Sequence, residues 1–314
     1  MNKKRLGIEI LVRRDRQGSE EVLKTVSEDV VILDKSLDGL RSLAEVESIR
    51  ADSCIYCGSM VGLSNEHVIP YAWGGTVQIL DGSCGACQKI TSKFENFAIN
   101  DGAMPHVRKA LNIQSRSRHK SATSPIETVL TGAGGEAILD LDTELSPMML
   151  GFPLFARPAL LSGEEKGGAL RLEGMGAVVF GANPLEFMQR HNATSAVQQE
   201  SSKKIVDFAR TIAKIAYCWA WRDGVVNELG GADELVRAFM HDPNQLGTYV
   251  GTKPSPYSRY QGCQFRIEYA LEMPARKLIL EVQPFSDSAA PTYEVVIGEV
   301  KSMRQWRQVR AGLR

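Results

Sequence analysis

Polar and apolar positions alternate in the N-terminal run LGIEILV, residues 6–12, and Leu37, Leu40, Leu43 and Val46 then recur every third position. The first period is that of a strand and the second that of a helical face, so the leader reads as strand then helix. Farther on, CQKITSKFENFAI places Ile90, Phe94 and Phe97 at helical spacing, and the Asn100, Asp101, Gly102 run supplies a stop. Ile205, Phe208, Ile212, Ile215 and Trp219 form the apolar stripe of an amphipathic helix. A shorter helix is expected near ADELVRAFMHD. The chain then turns strand-like in CQFRIEYALEM, KLILEVQPF and TYEVVIGEV, with a turn at PAR between the first two.

These patterns divide the chain into four parts. Residues 1–50 are the strand and helix leader, and residues 51–113 a cysteine- and histidine-bearing module. Residues 114–175, rich in Gly, Pro and Ser, read as a loop-rich connector with short strands such as EAILDL. Residues 176–314 read as a mixed α/β domain suited to regulation or recognition. The fold class expected is α+β.

Composition narrows the function classes. The 314 residues carry 37 Lys and Arg against 37 Asp and Glu, so global charge recruits neither nucleic acid nor an anionic membrane, and any such partner must be met by a local patch. The basic N-terminus lacks the apolar core and cleavage pattern of a secretory signal. The most apolar helical stretch, IVDFARTIAKIAYCWAW, is interrupted by Asp207, Arg210 and Lys214, short of the roughly 20 apolar residues that a membrane span needs. A cytoplasmic protein with no membrane partner is expected. In that compartment thiols stay reduced, so clustered cysteines are better read as metal ligands than as disulfides.

Cys54 and Cys57 form one C-x-x-C knuckle and Cys84 and Cys87 a second, 26 residues apart. Two such knuckles can hold four thiolates for a tetrahedral structural Zn²⁺, the expected reading, with four incidental buried cysteines as the bland alternative. Cys218 and Cys263 have no comparable partners and read as buried thiols. A zinc closed by four thiolates has no open position for catalysis, so any chemistry must come from between the knuckles. There SNEHVIPYAWGG supplies Glu66, His67 and Pro70 followed by a Gly-Gly turn.

In order and spacing, C-x-x-C, Glu-His-Val-Ile-Pro, a glycine-bearing loop, C-x-x-C and a helix, residues 54–96 resemble the HNH endonuclease family. The flanking residues lie outside the resemblance. It implies a ββα-metal core stapled by zinc, with His67 as general base and Glu66 as a ligand of a catalytic Mg²⁺ or Mn²⁺. A neutral imidazole can take a proton from water at cytosolic pH, and a divalent ion can neutralise the phosphate and its leaving alkoxide. The chain departs from the family at the second metal ligand, because Gln88 follows Cys87. Gln88, Thr91, Ser92 and Glu95 share one helical face, and Glu95 is the hard-cation ligand among them. Asn96 is the next candidate, and a solvated helix position is the alternative for both. Gln78 is the amide nearest to the place that the family fills with Asn, suited to orienting His67, unless TVQIL is a plain strand. The bland alternative for Glu66 and His67 is a surface pair in a zinc-stabilised turn.

Phosphate contacts call for local cations. Lys89, Lys93, Arg108, Lys109, Arg116, Arg118 and Lys120 follow the second knuckle, and the tail KSMRQWRQVRAGLR adds five more around Trp306. Lys89 and Lys93, next to the site, are the nucleic-acid-binding candidates. No base-reading module is recognisable, which implies weak sequence specificity. The expected function is metal-dependent hydrolysis of phosphodiester bonds in DNA, with RNA as the other substrate. The C-terminal half would bring regulation, recognition or homo-oligomerisation, in a phage-defence or mobile-element setting like that of nucleases the family resembles. The rival expectation is a non-catalytic zinc-ribbon nucleic-acid-binding or adaptor protein.

Overall fold

A computed structural model describes residues 48–100, Met104, Arg108, and residues 126–141, 147–164, 168–181, 184–197, 202–257, 265–286 and 290–302. The leader through residue 47, the cations from Lys109 to Lys120, Cys263 and the tail from residue 303 lie outside the described residues.

The cysteine module opens with β1 (Ile49–Arg50) and the first knuckle, continues through β2 (Leu63–His67) and a single 3-10 turn (Tyr71–Trp73), and closes with β3 (Gln78–Cys84). β2 pairs antiparallel with β3, from Leu63 opposite Cys84 to His67 opposite Gln78, and β1 pairs parallel with β3 on its other side. Helix α1 (Gly85–Asn100) starts at the residue after β3 ends. The hairpin and helix therefore share the second knuckle, with Cys84 closing the strand and Cys87 in the first helical turn. Phe94 points into the core and is fully buried, while Ile90 packs at its edge.

The stretch that reads as a loop-rich connector is largely strand in its described residues. β4 (Ile126–Gly132) and β5 (Gly135–Leu141, which contains the EAILDL run) form a hairpin, and β8 (Ala193–Val197) joins the far side of β4. β6 (Pro147–Phe155) and β7 (Leu172–Gly181) make a separate two-stranded ribbon. Gly and Pro hide these strands from a composition reading. In a two-stranded ribbon each strand keeps one open side, where a proline's missing N–H removes no ladder bond, and Pro147, Gly151 and Pro153 all sit in β6.

Further helices among the described residues are α2 (Ala159–Ser162), α3 (Pro184–Arg190), α4 (Ser202–Arg222), α5 (Ala232–Met240) and α6 (Leu246–Tyr249). They accompany a four-stranded antiparallel sheet in the order β10-β11-β12-β9, with β9 at Val250–Tyr257, β10 at Phe265–Glu272, β11 at Lys277–Pro284 and β12 at Pro291–Glu299. Strands β10 to β12 are the three that the sequence pattern predicts. β9 escapes it because VGTKPSPY carries two prolines and little apolar alternation.

Helix α4 lies at the centre of the molecule. Ile212 and Ile215 of the expected stripe are fully buried, but so are Ala209, Ala213, Ala216, Cys218 and Ala220, which surround the helix with contact rather than giving it one apolar face. A single contiguous core joins Ile69, Trp73 and Phe94 of the cysteine module to α4 and to Leu280, Val282 and Val295 of the C-terminal sheet. Trp73 lies against Phe208, Phe265 and Phe285, at ring separations of 6.0, 6.0 and 6.3 Å. Among the described residues no helix is long and apolar enough to cross a membrane.

Candidate metal centre

The first knuckle is a tight turn. Gly58, in the left-handed region at φ 72°, donates its N–H to Cys54 O, and the Cys54 N–H returns to Ser59 O. The Ile55 N–H bonds to Gly82 O, which ties the turn to β3. This brings the four sulfurs of Cys54, Cys57, Cys84 and Cys87 within 4.8 Å of one another, all as free thiols. Cys57 Sγ and Cys84 Sγ are 3.7 Å apart, against an edge of about 3.8 Å for a tetrahedron of sulfurs at zinc-bond length. The backbone N–H of Cys87, at the start of α1, holds the Cys84 thiol down to about 7, while burial pushes the Cys87 thiol up. Four thiols so crowded cannot all ionise without a cation among them, and Zn²⁺ fits both the donors and the spacing.

Beyond the cysteines, Glu66 of β2 and Glu95 of α1 meet. Both carboxylates reach the same ammonium: Lys214 Nζ lies 2.7 Å from Glu66 Oε1 and 2.8 Å from Glu95 Oε1, and it also donates to the His67 carbonyl oxygen. The Lys214 side chain is 0% exposed and that of Glu66 6%. Burial works against the Lys214 charge, but Glu66 and Glu95 outweigh it and raise its pKa above that of an ordinary lysine. Burial raises the Glu95 carboxyl, with the Lys214 charge opposing. Glu95 Oε1 lies close to Nζ but off the hydrogen-bond axis, and no hydrogen bond satisfies it.

Glu66 and His67 are neighbours on a strand, so their side chains leave on opposite faces. His67 Nε2 lies 3.1 Å from Gln78 Nε2, and its ring packs edge-on to Tyr71 at 5.8 Å. The polarity of this contact can be traced from the backbone. The Asp81 N–H donates to Asn65 Oδ1, which leaves Asn65 Nδ2 to donate to Gln78 Oε1 at 3.0 Å, which in turn aims the Gln78 NH₂ at the imidazole. His67 Nε2 is then an acceptor, and the proton of the neutral ring sits on Nδ1.

The helix residues separate by depth. Glu95 and buried Thr91 turn inward, whereas Gln88, Ser92 and Asn96 are exposed, as are Lys89 and Lys93. Arg108 is partly buried, and burial lowers its pKa.

Lys214 is the residue that sequence reasoning missed. Its charge reads as an interruption of an apolar helix, and with Asp207, Arg210 and Thr211 seven, four and three positions earlier it lines up as an ordinary polar stripe, although Asp207, Thr211 and Lys214 are all buried. One turn on, Cys218 is buried as expected, with its sulfur 3.2 Å from Tyr56 Oη, and Tyr217 Oη donates to Ile55 O at 2.7 Å. α4 is thereby fastened directly to the first knuckle.

No family model, curated protein or solved structure matches the chain.

Proposed function

We propose that the protein is a metal-dependent endonuclease of the HNH kind that hydrolyses phosphodiester bonds in DNA. The observation that carries this reading is the meeting of Glu66 and Glu95 at one cation position that the His67 backbone carbonyl also faces, with the imidazole on the other face of β2. Their donors suit the ion, because two carboxylates and a backbone carbonyl are the hard oxygens that Mg²⁺ or Mn²⁺ takes. The hairpin that runs directly into α1, with the four cysteines at their junction, is consistent with it.

In this mechanism Gln78 holds the ring as the Nδ1–H tautomer, and His67 Nε2 takes a proton from the attacking water once Gln78 releases the lone pair that it occupies in this structure. Glu66 and Glu95 would hold the divalent ion, which supplies charge neutralisation to the phosphate and the leaving alkoxide. Lys89 and Lys93 grip phosphates from the solvent side of α1. The four cysteines hold Zn²⁺ for structure only.

The test is conversion of supercoiled plasmid to nicked or linear DNA with Mg²⁺ or Mn²⁺, by wild type and His67→Ala after both are shown to retain zinc. Loss of cleavage in the variant alone is expected. Equal cleavage by both proteins removes His67 from the mechanism.

The complete burial of Lys214 at the cation position favours a second reading, a non-catalytic zinc-ribbon nucleic-acid-binding or adaptor protein. It predicts plasmid binding without cleavage by either divalent ion.

A further inference from the structure

A lysine ammonium has three N–H donors, and Lys214 has three oxygens around it from three points of the chain: Glu66 on β2, Glu95 on α1 and the His67 carbonyl. Glu66 Oε1 at 2.7 Å and Glu95 Oε1 at 2.8 Å are both at ion-pair distance, Glu95 Oε1 lying off the hydrogen-bond axis. A Mg²⁺ ion draws its oxygens in to about 2.1 Å. The ammonium and the ion therefore claim the same oxygens at incompatible distances, and one excludes the other.

The helix that carries the lysine is anchored. Arg210, one turn earlier, caps α5 by donating to Phe239 O at 2.6 Å and Met240 O at 3.1 Å, and its guanidinium lies over the Phe94 ring of α1 at 4.4 Å. Tyr217 is bonded to the first knuckle. The backbone of α4 is thus fastened to both α1 and the zinc turn, so exchange at the site would be a movement of side chains and not of the helix. Charge adds a reason for exchange. With both carboxylates ionised, the pair around one ammonium carries a net charge of −1, which a divalent ion in its place would neutralise.

We infer that Lys214 is the resident cation of the Glu66–Glu95 site and that Mg²⁺ or Mn²⁺ enters only by displacing its ammonium, so that the lysine holds the site metal-free until it is moved. The inference rests on the nuclease reading for the identity of the ion, but its test does not need cleavage.

The zinc-loaded full chain is titrated with Mn²⁺, and free Mn²⁺ is followed by electron paramagnetic resonance in wild type, Lys214→Met and the double variant Lys214→Met with Glu66→Gln. Removing the built-in competitor should tighten one Mn²⁺ site per chain by roughly two to three orders of magnitude, the scale of breaking a buried ion pair, and Glu66→Gln should abolish the gained site. Because Lys214→Met leaves two buried carboxylates without a counter-charge, its thermal midpoint is measured as well. It should fall without added ion and recover with Mn²⁺, while that of wild type does not respond. Equal Mn²⁺ affinity in wild type and Lys214→Met, or a midpoint in the variant indifferent to Mn²⁺, would overturn the inference. Gained Mn²⁺ binding with no plasmid cleavage would uphold the lysine exchange and sink the nuclease reading. Cleavage by wild type with no gain in the variant would do the reverse.

Discussion

Gln78 Nε2 donates to His67 Nε2 across the β2–β3 pair, and the direction of that bond is set by the Asp81 backbone N–H acting through Asn65. A peptide N–H can only donate, so each amide along the relay has one permitted orientation. The ring is therefore presented as the Nδ1–H tautomer. ¹⁵N-edited NMR of imidazole-labelled protein is expected to show that tautomer for His67, and Gln78→Leu should erase the preference while leaving the zinc content unchanged. A wild-type ring protonated on Nε2 would break the relay argument.

Removal of zinc should unfold the module rather than merely silence it. The hairpin and α1 meet at Cys84 and Cys87, and metal binding to a thiolate set that only the folded chain assembles becomes folding free energy. One zinc per chain is expected by elemental analysis. Cys84→Ser should lose the metal and cost on the order of several kcal/mol, read by urea denaturation. A Cys84→Ser chain as stable as wild type would remove zinc from the structural account.

Glu66 and Glu95 should contribute unequally to stability, although both face Lys214. Glu66 is the more deeply buried, with 6% of its side chain exposed against 16%, and Glu95 Oε1 is off axis. Glu66→Ala leaves a buried ammonium short of its main partner and should cost about 3–5 kcal/mol, with Glu95→Ala costing less. A double-mutant cycle of Glu66→Ala with Lys214→Met should show strong coupling, because each partner's loss is partly the burden of the other left unpaired. Additive denaturation energies would mean that the two charges do not sense each other.

The parts of this protein legible in its sequence are those whose signal is local. The two knuckles, the α1 helix with Phe94 inward, and strands β10 to β12 follow from spacing within short windows. The ion-pair role of Lys214 does not, because it is created by residues 148 and 119 positions away in the chain, Glu66 and Glu95. A charge inside an apolar run reads as a solvent-facing break unless the partner carboxylates are already known to lie there. The ribbon of β6 and β7 was hidden for a different reason. Its glycines and prolines have the composition of a loop, and only the partner strand and its open edge make them compatible with pairing. The division into a cysteine module and a separate C-terminal domain likewise follows composition, whereas packing around α4 joins their interiors.

That shared interior yields the last prediction. Trp73 leaves the module on the single turn after Pro70, is 0% exposed, and lies among Phe208 of α4, Phe265 of β10 and Phe285 at the end of β11. Aromatic neighbours of this kind add about 0.5–1.5 kcal/mol per pair beyond the area they bury. Trp73→Ala should therefore cost about 3–5 kcal/mol, and the loss should appear in the C-terminal sheet as well as in the zinc module. Hydrogen exchange followed by mass spectrometry distinguishes the two cases. Faster exchange in both α1 and β11 is expected if one cooperative unit spans them. Faster exchange confined to residues 51–100 would mean that the module unfolds independently, and that the contact across α4 does not couple it to the sheet.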